Sequence, residues 1–306
     1  VPVLNLLQNT MQDSWVGNHQ TAITRIEKAK QRIAQRLQEE EKKKNEPLYR
    51  LQELFKKPEL SPEQIAQARQ LIQKLPTSTL QGDYFEKLQY KVPYFNQRDS
   101  EVSGHVGSGA YCNLGDYMCN MSSMAMGLAL FGVSNPKPDM QYDDAVEKIR
   151  HEKYPSDDRT GYGQFRIAEF FGFYYGGLDG DKKNMTDNTW MFDARHQSSY
   201  DYTWYVKNIL PELRKGNSIT IGIQDKTNSN NGHIVHLLGV NQKGLTVHDP
   251  MGKANWEGKS YREVMYTNAN DLKGEYSERG KRSFWAFERI KNSPIMKFNW
   301  IRVMKK

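Results

Sequence analysis

The chain has 306 residues, of which 37% are hydrophobic, and its formal net charge is +7. That length allows one large domain with an appended element, or two domains. Two cysteines are too few for a disulfide-stapled fold, and no apolar run approaches the roughly 20 residues that cross a bilayer. Basic residues are scattered, without an aromatic–basic RNA motif or zinc-finger spacing, so we expect no specific nucleic-acid partner.

The first residues give no targeting signal. Residues 1–12 lack a basic segment followed by a long apolar stretch, so no secretory signal is predicted. The chain starts with Val1 rather than Met, as expected of a processed form, a trimmed form or a fragment. The sequence leaves the localisation open, and a virion-associated or extracellular location would suit the positive charge, which favours anionic surroundings.

Residues 1–80 are rich in Gln, Glu, Lys and Arg and predict a helical arm. A second short helix is predicted over 48–55, and a third begins at Ser61, where Pro62 and Gln64 complete a capping-box pattern. The arm is either a spacer or a docking element for other proteins of an assembly. One helical face of its first part collects these apolar residues: Ile23, Ile26, Ala29, Ile33 and Leu37.

From about Tyr84 the chain becomes richer in Gly, Tyr, Trp and Asp, and β patterns appear. We predict one domain over residues 84–290 and a basic C-terminal tail over 291–306. Apolar alternation and turn signals predict strands at 218–223, 234–240 and 245–248, with a further candidate at 284–290.

Cys119 immediately precedes an apolar helical pattern that ends near Gly132. A thiol at a helix N-terminus meets free N–H groups and the positive end of the helix dipole, which favour the nucleophilic thiolate. A buried structural cysteine is the alternative. The helix is predicted from these residues: Met121, Met124, Ala125, Leu128 and Phe131.

The two cysteines also allow other uses. A Cys112–Cys119 bridge could form outside the cytosol. A zinc site with His105 is less favoured, because it lacks a CxxC knuckle and a clear fourth ligand. We therefore predict no metal and no organic cofactor.

His233 follows Gly232 at the start of a predicted strand, where a base could reach a helix N-terminus. His236 is three residues further on, so strand alternation turns only one of the two towards Cys119, and we choose His233. Asp249 follows the next strand, so a hairpin would bring its carboxylate beside His233 to orient and stabilise the imidazolium. A plain Asp-Pro turn is the alternative for Asp249.

Gln97 lies upstream of the cysteine in the segment 92–99, which reads Val-Pro-Tyr-Phe-Asn-Gln-Arg-Asp. A side-chain amide at such a place can donate to a developing oxyanion together with the backbone N–H of Cys119. One donor of this kind contributes about 3 kcal/mol to transition-state stabilisation.

These segments together resemble the bacteriocin-processing, double-glycine leader peptidase family and its stand-alone relatives. Segment 92–99 resembles the oxyanion-glutamine motif, and 119–132 resembles the nucleophile helix. Segments 232–235 and 247–250 resemble the histidine strand and the Asp-Pro motif. The order Gln, Cys, His, Asp is that of papain-like peptidases. Two features depart from many relatives: the spacing from the glutamine to the cysteine is wide, and no transporter segment is present.

The resemblance implies an α+β, papain-like cysteine peptidase fold, in which the helix carrying Cys119 packs on an antiparallel sheet carrying His233 and Asp249. It also implies amide hydrolysis by this triad, with Gln97 as oxyanion donor. The expected substrate is a peptide. Leader peptides and the cross-link peptides of peptidoglycan are the two candidates, the second suiting a phage tail protein or a secreted wall-degrading enzyme.

Two rival interpretations stay open. An NlpC-type or CHAP amidase shares the order of cysteine and histidine, but the Asp-Pro motif after the histidine strand argues against it. A non-enzymatic, peptidase-like module would bind peptide or serve as a structural part of an assembly. The complete set of Gln97, Cys119, His233 and Asp249 argues against such a module, because a binder would tolerate the loss of any of them.

Overall fold

A computed structural model describes residues 2–99, 104–105, 111–112, 117–155, 162–177, 192–193, 200–265 and 278–306. Within these ranges, the description of side chains leaves out residues 2–14, 44–45, 104–105, 111–112, 162 and 192–193.

Helices make up the N-terminal part of the chain and flank the later strands. Their bounds are α1 (Pro2–Phe55), α2 (Pro62–Gln73), α3 (Ser78–Gln89), α4 (Cys119–Leu130), α5 (Tyr142–Lys153), α6 (Tyr162–Phe170), α7 (Tyr202–Asn208), α8 (Leu210–Arg214), α9 (Tyr261–Met265) and α10 (Phe287–Asn292). Among the described residues, no helix is long and apolar enough to span a membrane.

The strands are short except in the second half of the chain. Their bounds are β1 (Gly104–His105), β2 (Tyr111–Cys112), β3 (Tyr174–Gly176), β4 (Phe192–Asp193), β5 (Ser218–Asp225), β6 (Gly232–Asn241), β7 (Gly244–His248), β8 (Ser283–Ala286) and β9 (Met296–Lys305). Strands β1 and β2 pair with each other, and the other seven form one sheet.

The chain divides into two compact units, one ending at Arg50 and the other running from Leu51 to Lys306. The first unit is the long N-terminal part of α1, so the two helices predicted before residue 56 are one helix. Pro47 lies inside it, although proline removes one helical hydrogen bond. The apolar residues of its stripe are exposed, as shown by Ile33 and Leu37.

Helices α2 and α3 belong to the second unit, so the structure draws the boundary near residue 51 and not between residues 80 and 84. Leu51, Leu60 and Ile65 are fully or almost fully buried. The guanidinium of Arg69 donates to the carbonyl of Leu130 at 3.2 Å and to that of Gly216 at 2.8 Å. These contacts join α2 to distant parts of the domain.

The capping box predicted at the start of α2 is confirmed. The backbone N–H of Gln64 donates to Oγ of Ser61 at 3.3 Å, and the N–H of Ser61 donates to Oε1 of Gln64 at 3.1 Å. Pro62 occupies the first turn, where its missing N–H removes no intrahelical bond.

The large sheet is antiparallel, with the order β3-β9-β5-β6-β7-β8, and β4 also pairs with β9. The hairpin of β6 and β7 confirms the predicted pair of strands, and β5 lies beside β6. Strand β9 lies between β3 and β5, so residues 296–305 are a central strand where we expected part of a basic tail. The strand candidate at 284–290 is half correct, because β8 ends at Ala286 and α10 follows.

Helix α4 packs against β6 and β5 and is buried along almost its whole length. Its apolar residues form one core with α5 and α6, including Met121, Met124 and Leu128. A second core contains Val235, Leu237 and many other apolar side chains of the sheet. This mixture of helices and antiparallel sheet agrees with the predicted α+β class.

Candidate active site

Cys119 is the first residue of α4. It is a free cysteine and only partly exposed, and the side chains of Cys112 and His105, the other candidates for a bridge or a zinc site, lie outside those described. The preceding residue, Met118, gives the helix no side-chain cap, while Oδ1 of Asn120 accepts a hydrogen bond from the N–H of Met121 at 2.8 Å. A thiol at this position of a twelve-residue helix lies where the helix dipole favours negative charge.

His233 is the second residue of β6 and is buried. Its neighbour Gly232 is fixed from outside the strand, because its carbonyl accepts a hydrogen bond from the hydroxyl of Tyr261 at 3.0 Å. Helix α4 is tied to the same strand, since Oγ of Ser123 donates to the carbonyl of Ile234 at 3.1 Å. The cysteine helix and the histidine strand are therefore joined one residue from His233.

Asp249 follows β7, and its Oδ1 lies 2.6 Å from Nε2 of His233. Both side chains are buried, with exposed fractions of 0% and 1%. The hairpin thus brings together the histidine and the carboxylate, as the sequence predicted. A carboxylate at this distance holds the proton on Nε2 and leaves Nδ1 for another partner.

The electrostatics of His233 follow from these contacts. Burial alone would lower the pKa of its imidazole, but the carboxylate of Asp249 and the thiol of Cys119 raise that pKa to about 10. Cys119 is therefore near enough to act on the ring, although Nδ1 has no partner at hydrogen-bonding geometry among the described residues. The arrangement favours a positively charged imidazolium beside a thiol.

Gln97 is fully buried and begins a 3₁₀ turn over 97–99. Its backbone N–H donates to the carbonyl of Pro250 at 3.0 Å, so the turn is joined to the loop that carries Asp249. Most of the loop between Gln97 and Cys119 lies outside the described residues. The structure thus places Gln97 beside the Asp-Pro loop.

A family model described as "Peptidase_C39 like family" matches residues 89–284, well over half of the chain. The chain belongs to this family. No curated protein and no solved structure matches significantly. The match contains all four candidate residues: Gln97, Cys119, His233 and Asp249.

Membership of the Peptidase_C39 like family supports cysteine peptidase activity in general terms. The family match begins inside α3 and ends inside β8, so it contains the cysteine helix and the β6–β7 hairpin. Strand β9 lies beyond the matched residues, although it pairs with β5 in the middle of the sheet.

The large sheet contains two other histidines, His236 and His248, which serve its structure. His236 is fully buried, and burial lowers its pKa to about 3, so its ring is neutral. It faces Ser218, whose Oγ lies 3.4 Å from Nδ1. The expectation that His236 turns away from Cys119 stays a prediction.

His248 lies directly across from His236 in the sheet, and its ring is neutral too, because burial lowers its pKa to about 3. Its Nδ1 accepts a hydrogen bond from the backbone N–H of Arg282 at 3.1 Å, so its proton is on Nε2, which donates to the carbonyl of Val92 at 3.1 Å. Both ring nitrogens are therefore occupied by backbone groups.

Three residues that position Asp249 were not identified from the sequence. The hydroxyl of Tyr94 donates to the carbonyl of Asp249 at 2.8 Å, and the N–H of Met251 donates to its Oδ1 at 3.0 Å. Gly280 accepts from the N–H of Asp249 at 2.9 Å and lies so close that a Cβ there would meet the carbonyl of Asp249. Tyr94 lies in the segment singled out around Gln97, but no pattern in the sequence indicates Gly280.

A buried carboxylic acid lies against the cysteine helix. Oγ of Ser122, in the first turn of α4, donates to Oδ2 of Asp143 at 2.6 Å. Burial raises the pKa of Asp143 to about 7, against the opposing effect of the Ser122 hydrogen bond. The charge of this group therefore changes near neutral pH, one turn from the thiol.

Proposed function

We propose that this chain hydrolyses peptide amide bonds, with Cys119 as nucleophile, His233 as base and then acid, and Asp249 as the residue that orients His233. The observation that carries the proposal is the buried 2.6 Å contact between His233 and Asp249, next to a free cysteine at a helix start. Membership of a cysteine peptidase family supports it independently. The proposed fold is papain-like, with α4 against the sheet that carries the histidine.

In the proposed mechanism, Nδ1 of His233 holds the proton that leaves the thiol of Cys119. The thiolate attacks the carbonyl carbon, and the oxyanion is held by the N–H of Cys119 and the side-chain amide of Gln97. His233 then gives the proton to the leaving amine. A water molecule, deprotonated by the same ring, releases the acyl group and regenerates the thiol.

Asp249 acts throughout by keeping the proton of Nε2 in place and by stabilising the imidazolium. Its backbone is held by Tyr94 and Gly280, and the N–H of Met251 donates to the same carboxylate oxygen that contacts His233, which limits rotation of the carboxylate. A preorganised carboxylate of this kind needs no rearrangement during the reaction.

The substrate proposal is a peptide, either a leader peptide or the cross-link peptide of bacterial peptidoglycan. The net charge of +7 favours a substrate carried on an anionic cell envelope, because opposite charge raises the encounter rate. We propose the second substrate, with the chain acting as a phage tail protein or a secreted enzyme. Product analysis by mass spectrometry, with purified peptidoglycan and a peptide library side by side, distinguishes the two.

The enzyme is distinguished from a peptide-binding module by its thiol chemistry. At about pH 6 an ordinary cysteine, with a pKa of ~8.5, reacts little with iodoacetamide, whereas a thiolate paired with imidazolium reacts. Peptide mapping should therefore show faster labelling of Cys119 than of Cys112. Cys119→Ser should abolish hydrolysis and keep the fold, since the change is nearly isosteric.

Two histidine variants provide a matched pair, because both side chains are buried on β6. His233→Ala should remove the preferential labelling of Cys119, since it removes the cation. His236→Ala should retain it, although it creates a cavity of similar size. Equal labelling of the two cysteines in the native chain, unchanged by His233→Ala, would support a binding module and contradict the mechanism.

A further inference from the structure

Helix α1 carries an exposed apolar stripe with a seven-residue repeat. Val16, Ile23 and Leu37 occupy one row, and Ile26 and Ile33 occupy a second row three residues further along the repeat. Their exposed fractions run from 40% for Ile23 to 60% for Leu37. These five residues fall at positions a and d of the repeat, and His19 and Lys30 fill the other a and d positions between Val16 and Leu37. Apolar residues at positions a and d, continued over several turns, are the pattern of a two-helix seam.

An exposed stripe of this length requires an explanation. Helices in water are stabilised mainly by burying an apolar face, and a long helix without such burial is marginal. Five large aliphatic side chains are exposed along one face of the helix, whereas single exposed apolar residues are ordinary. The stripe therefore indicates a surface that another helix covers.

The charges beside the stripe select the partner and its direction. When Val16 and Ile23 are placed at heptad position a, Arg36 falls at position g and Glu41 at position e five residues later. In a parallel two-stranded coiled coil, position g of one helix lies beside position e of the next heptad of the other helix. Two identical helices would thus form the Arg36–Glu41 pair twice, once on each side.

Two further features fit a pair of identical helices. Lys30 falls in the first row between Ile23 and Leu37, and a single lysine at position a favours a defined register and number of strands at a cost in stability. Small residues flank the middle of the stripe, since Ala22 and Ala29 occupy position g. The rows end before Pro47, which would otherwise fall at position d.

We propose that two copies of this chain associate through a parallel, two-stranded coiled coil of α1 over residues 16–41. A twofold axis along the seam brings each residue of the stripe opposite its own copy, so the surface is complementary to itself. An antiparallel pair would put position g beside g and e beside e, and the Arg36–Glu41 contacts would be lost. Lys30 at position a and His19 and Glu40 at position d interrupt the apolar seam, so we expect a dimer of moderate affinity.

Sedimentation velocity on the full chain, over a wide range of protein concentration, tests the proposal. The mass should rise from that of one chain to that of two and no further. The double variant Ile26→Asp/Ile33→Asp should remain a monomer at every concentration, because it places four carboxylates in the seam. Asn18→Asp/Gln35→Asp, which adds the same charge on exposed positions away from the stripe, should dimerise like the native chain.

Charge reversal tests the direction of the helices. Arg36→Glu or Glu41→Arg alone should raise the dimer dissociation constant by about tenfold or more, because each replaces two attractions by two repulsions. The combined variant should return it towards the native value. Circular dichroism should show the same helix content for all variants at dimer-forming concentrations, apart from Ile26→Asp/Ile33→Asp.

Three outcomes would overturn the proposal. The first is a monomeric native chain at the highest concentration tested, which would mean that the stripe binds a different protein or another part of this chain. The second is a trimer or larger assembly. The third is a dimer that withstands Ile26→Asp/Ile33→Asp, or whose charge-reversed variants are not restored by combination.

Discussion

The contact between His233 and Asp249 can be tested by Asp249→Asn, which removes the charge and keeps the shape. Oδ1 of the amide can still accept from Nε2–H of His233 and from the N–H of Met251, so the hydrogen bonds stay possible. What the substitution removes is the negative charge beside a buried ring. Burial then dominates, and we expect the pKa of His233 to fall below its ordinary value of 6.5.

The expected loss of stability in Asp249→Asn follows from the pKa of His233. A rise in this pKa from 6.5 to about 10 corresponds to about 5 kcal/mol of stabilisation of the imidazolium in the folded state, and Cys119 contributes part of this energy. Because the variant keeps its hydrogen bonds and no longer buries a carboxylate, we expect Asp249→Asn to lower the free energy of unfolding by ~2–4 kcal/mol at about pH 6.

The stabilisation by His233 should weaken as the pH rises. The folded-state pKa of His233 lies above its unfolded-state value, so its stabilising contribution is complete below about pH 6.5 and is lost as the pH rises through about 10. The difference in unfolding free energy between the native chain and the variant should therefore shrink between these pH values. Urea unfolding at about pH 6 and about pH 10 measures it, and NMR titration of the His233 ring measures the pKa directly.

Asp201→Asn is the matched control. Oδ1 of Asp201 caps α7 by accepting from the N–H of Thr203 at 2.9 Å, and asparagine caps equally well. This variant should match the native chain at both pH values. If Asp249→Asn destabilises the chain equally at both, or if the pKa of His233 stays high in it, then the carboxylate does not hold the imidazolium and the proposed mechanism loses its main support.

Three other predictions concern how the site is built. Gly280→Ala would bring a Cβ against the carbonyl of Asp249 and within 2.5 Å of the Tyr94 hydroxyl. It should lower the rate of hydrolysis and reduce the free energy of unfolding by ~1–3 kcal/mol. Gly17→Ala is the control and should leave hydrolysis unchanged, because nothing lies within 4 Å of its Cβ. Ser123→Ala removes the hydrogen bond from α4 to β6, so it should lower the free energy of unfolding in urea by about 1 kcal/mol and slow the alkylation of Cys119. If Cys119 is alkylated at the native rate in this variant, the hydrogen bond does not position the thiol. Removing residues 1–50 should leave a domain that unfolds cooperatively. Removing residues 1–80 should give an insoluble or molten chain, because it deletes Leu51, Leu60 and Ile65 from the core. A native-like urea transition after the longer deletion would restore the boundary near residue 80.

The contact of His233 with Asp249 was predictable because it depends on local rules. Alternating apolar residues predicted β6 and β7, and a hairpin of two paired strands brings the residues at its open end together. The helix start at Cys119 was predictable for a similar reason, since the apolar period and the end near Gly132 lie within fourteen consecutive residues.

The central strand β9 was not predictable by such rules, because its charges resembled those of an exposed tail. Arg302 is nevertheless buried, with its guanidinium 3.9 Å from the ring centre of Trp300 and its Nη1 donating to Oε1 of Gln164 at 3.2 Å. Gln164 lies far away along the chain, and no local pattern identifies such a partner.

The boundary near residue 51 depends on equally distant contacts. Helices α2 and α3 are amphipathic, which suits a separate bundle as well as a domain surface. The two hydrogen bonds from Arg69 to the carbonyls of Leu130 and Gly216 decide in favour of the domain surface, and these partners lie 61 and 147 residues away along the chain. The sequence pattern shows that a helix has an apolar face, but it does not show what covers that face.

The place of β9 also sets the order in which the fold can form during synthesis. Strand β9 separates β3 from β5, so the two sides of the sheet cannot join until residue 305 has left the ribosome. Until then the edge of β5 has no neighbour on that side and is exposed to other nascent chains. A product truncated after residue 290 would lack the strand between the two sides of the sheet, so premature termination or proteolysis there should yield no working fragment. The sheet therefore closes only after β9 has been made, long after α1 has emerged from the ribosome.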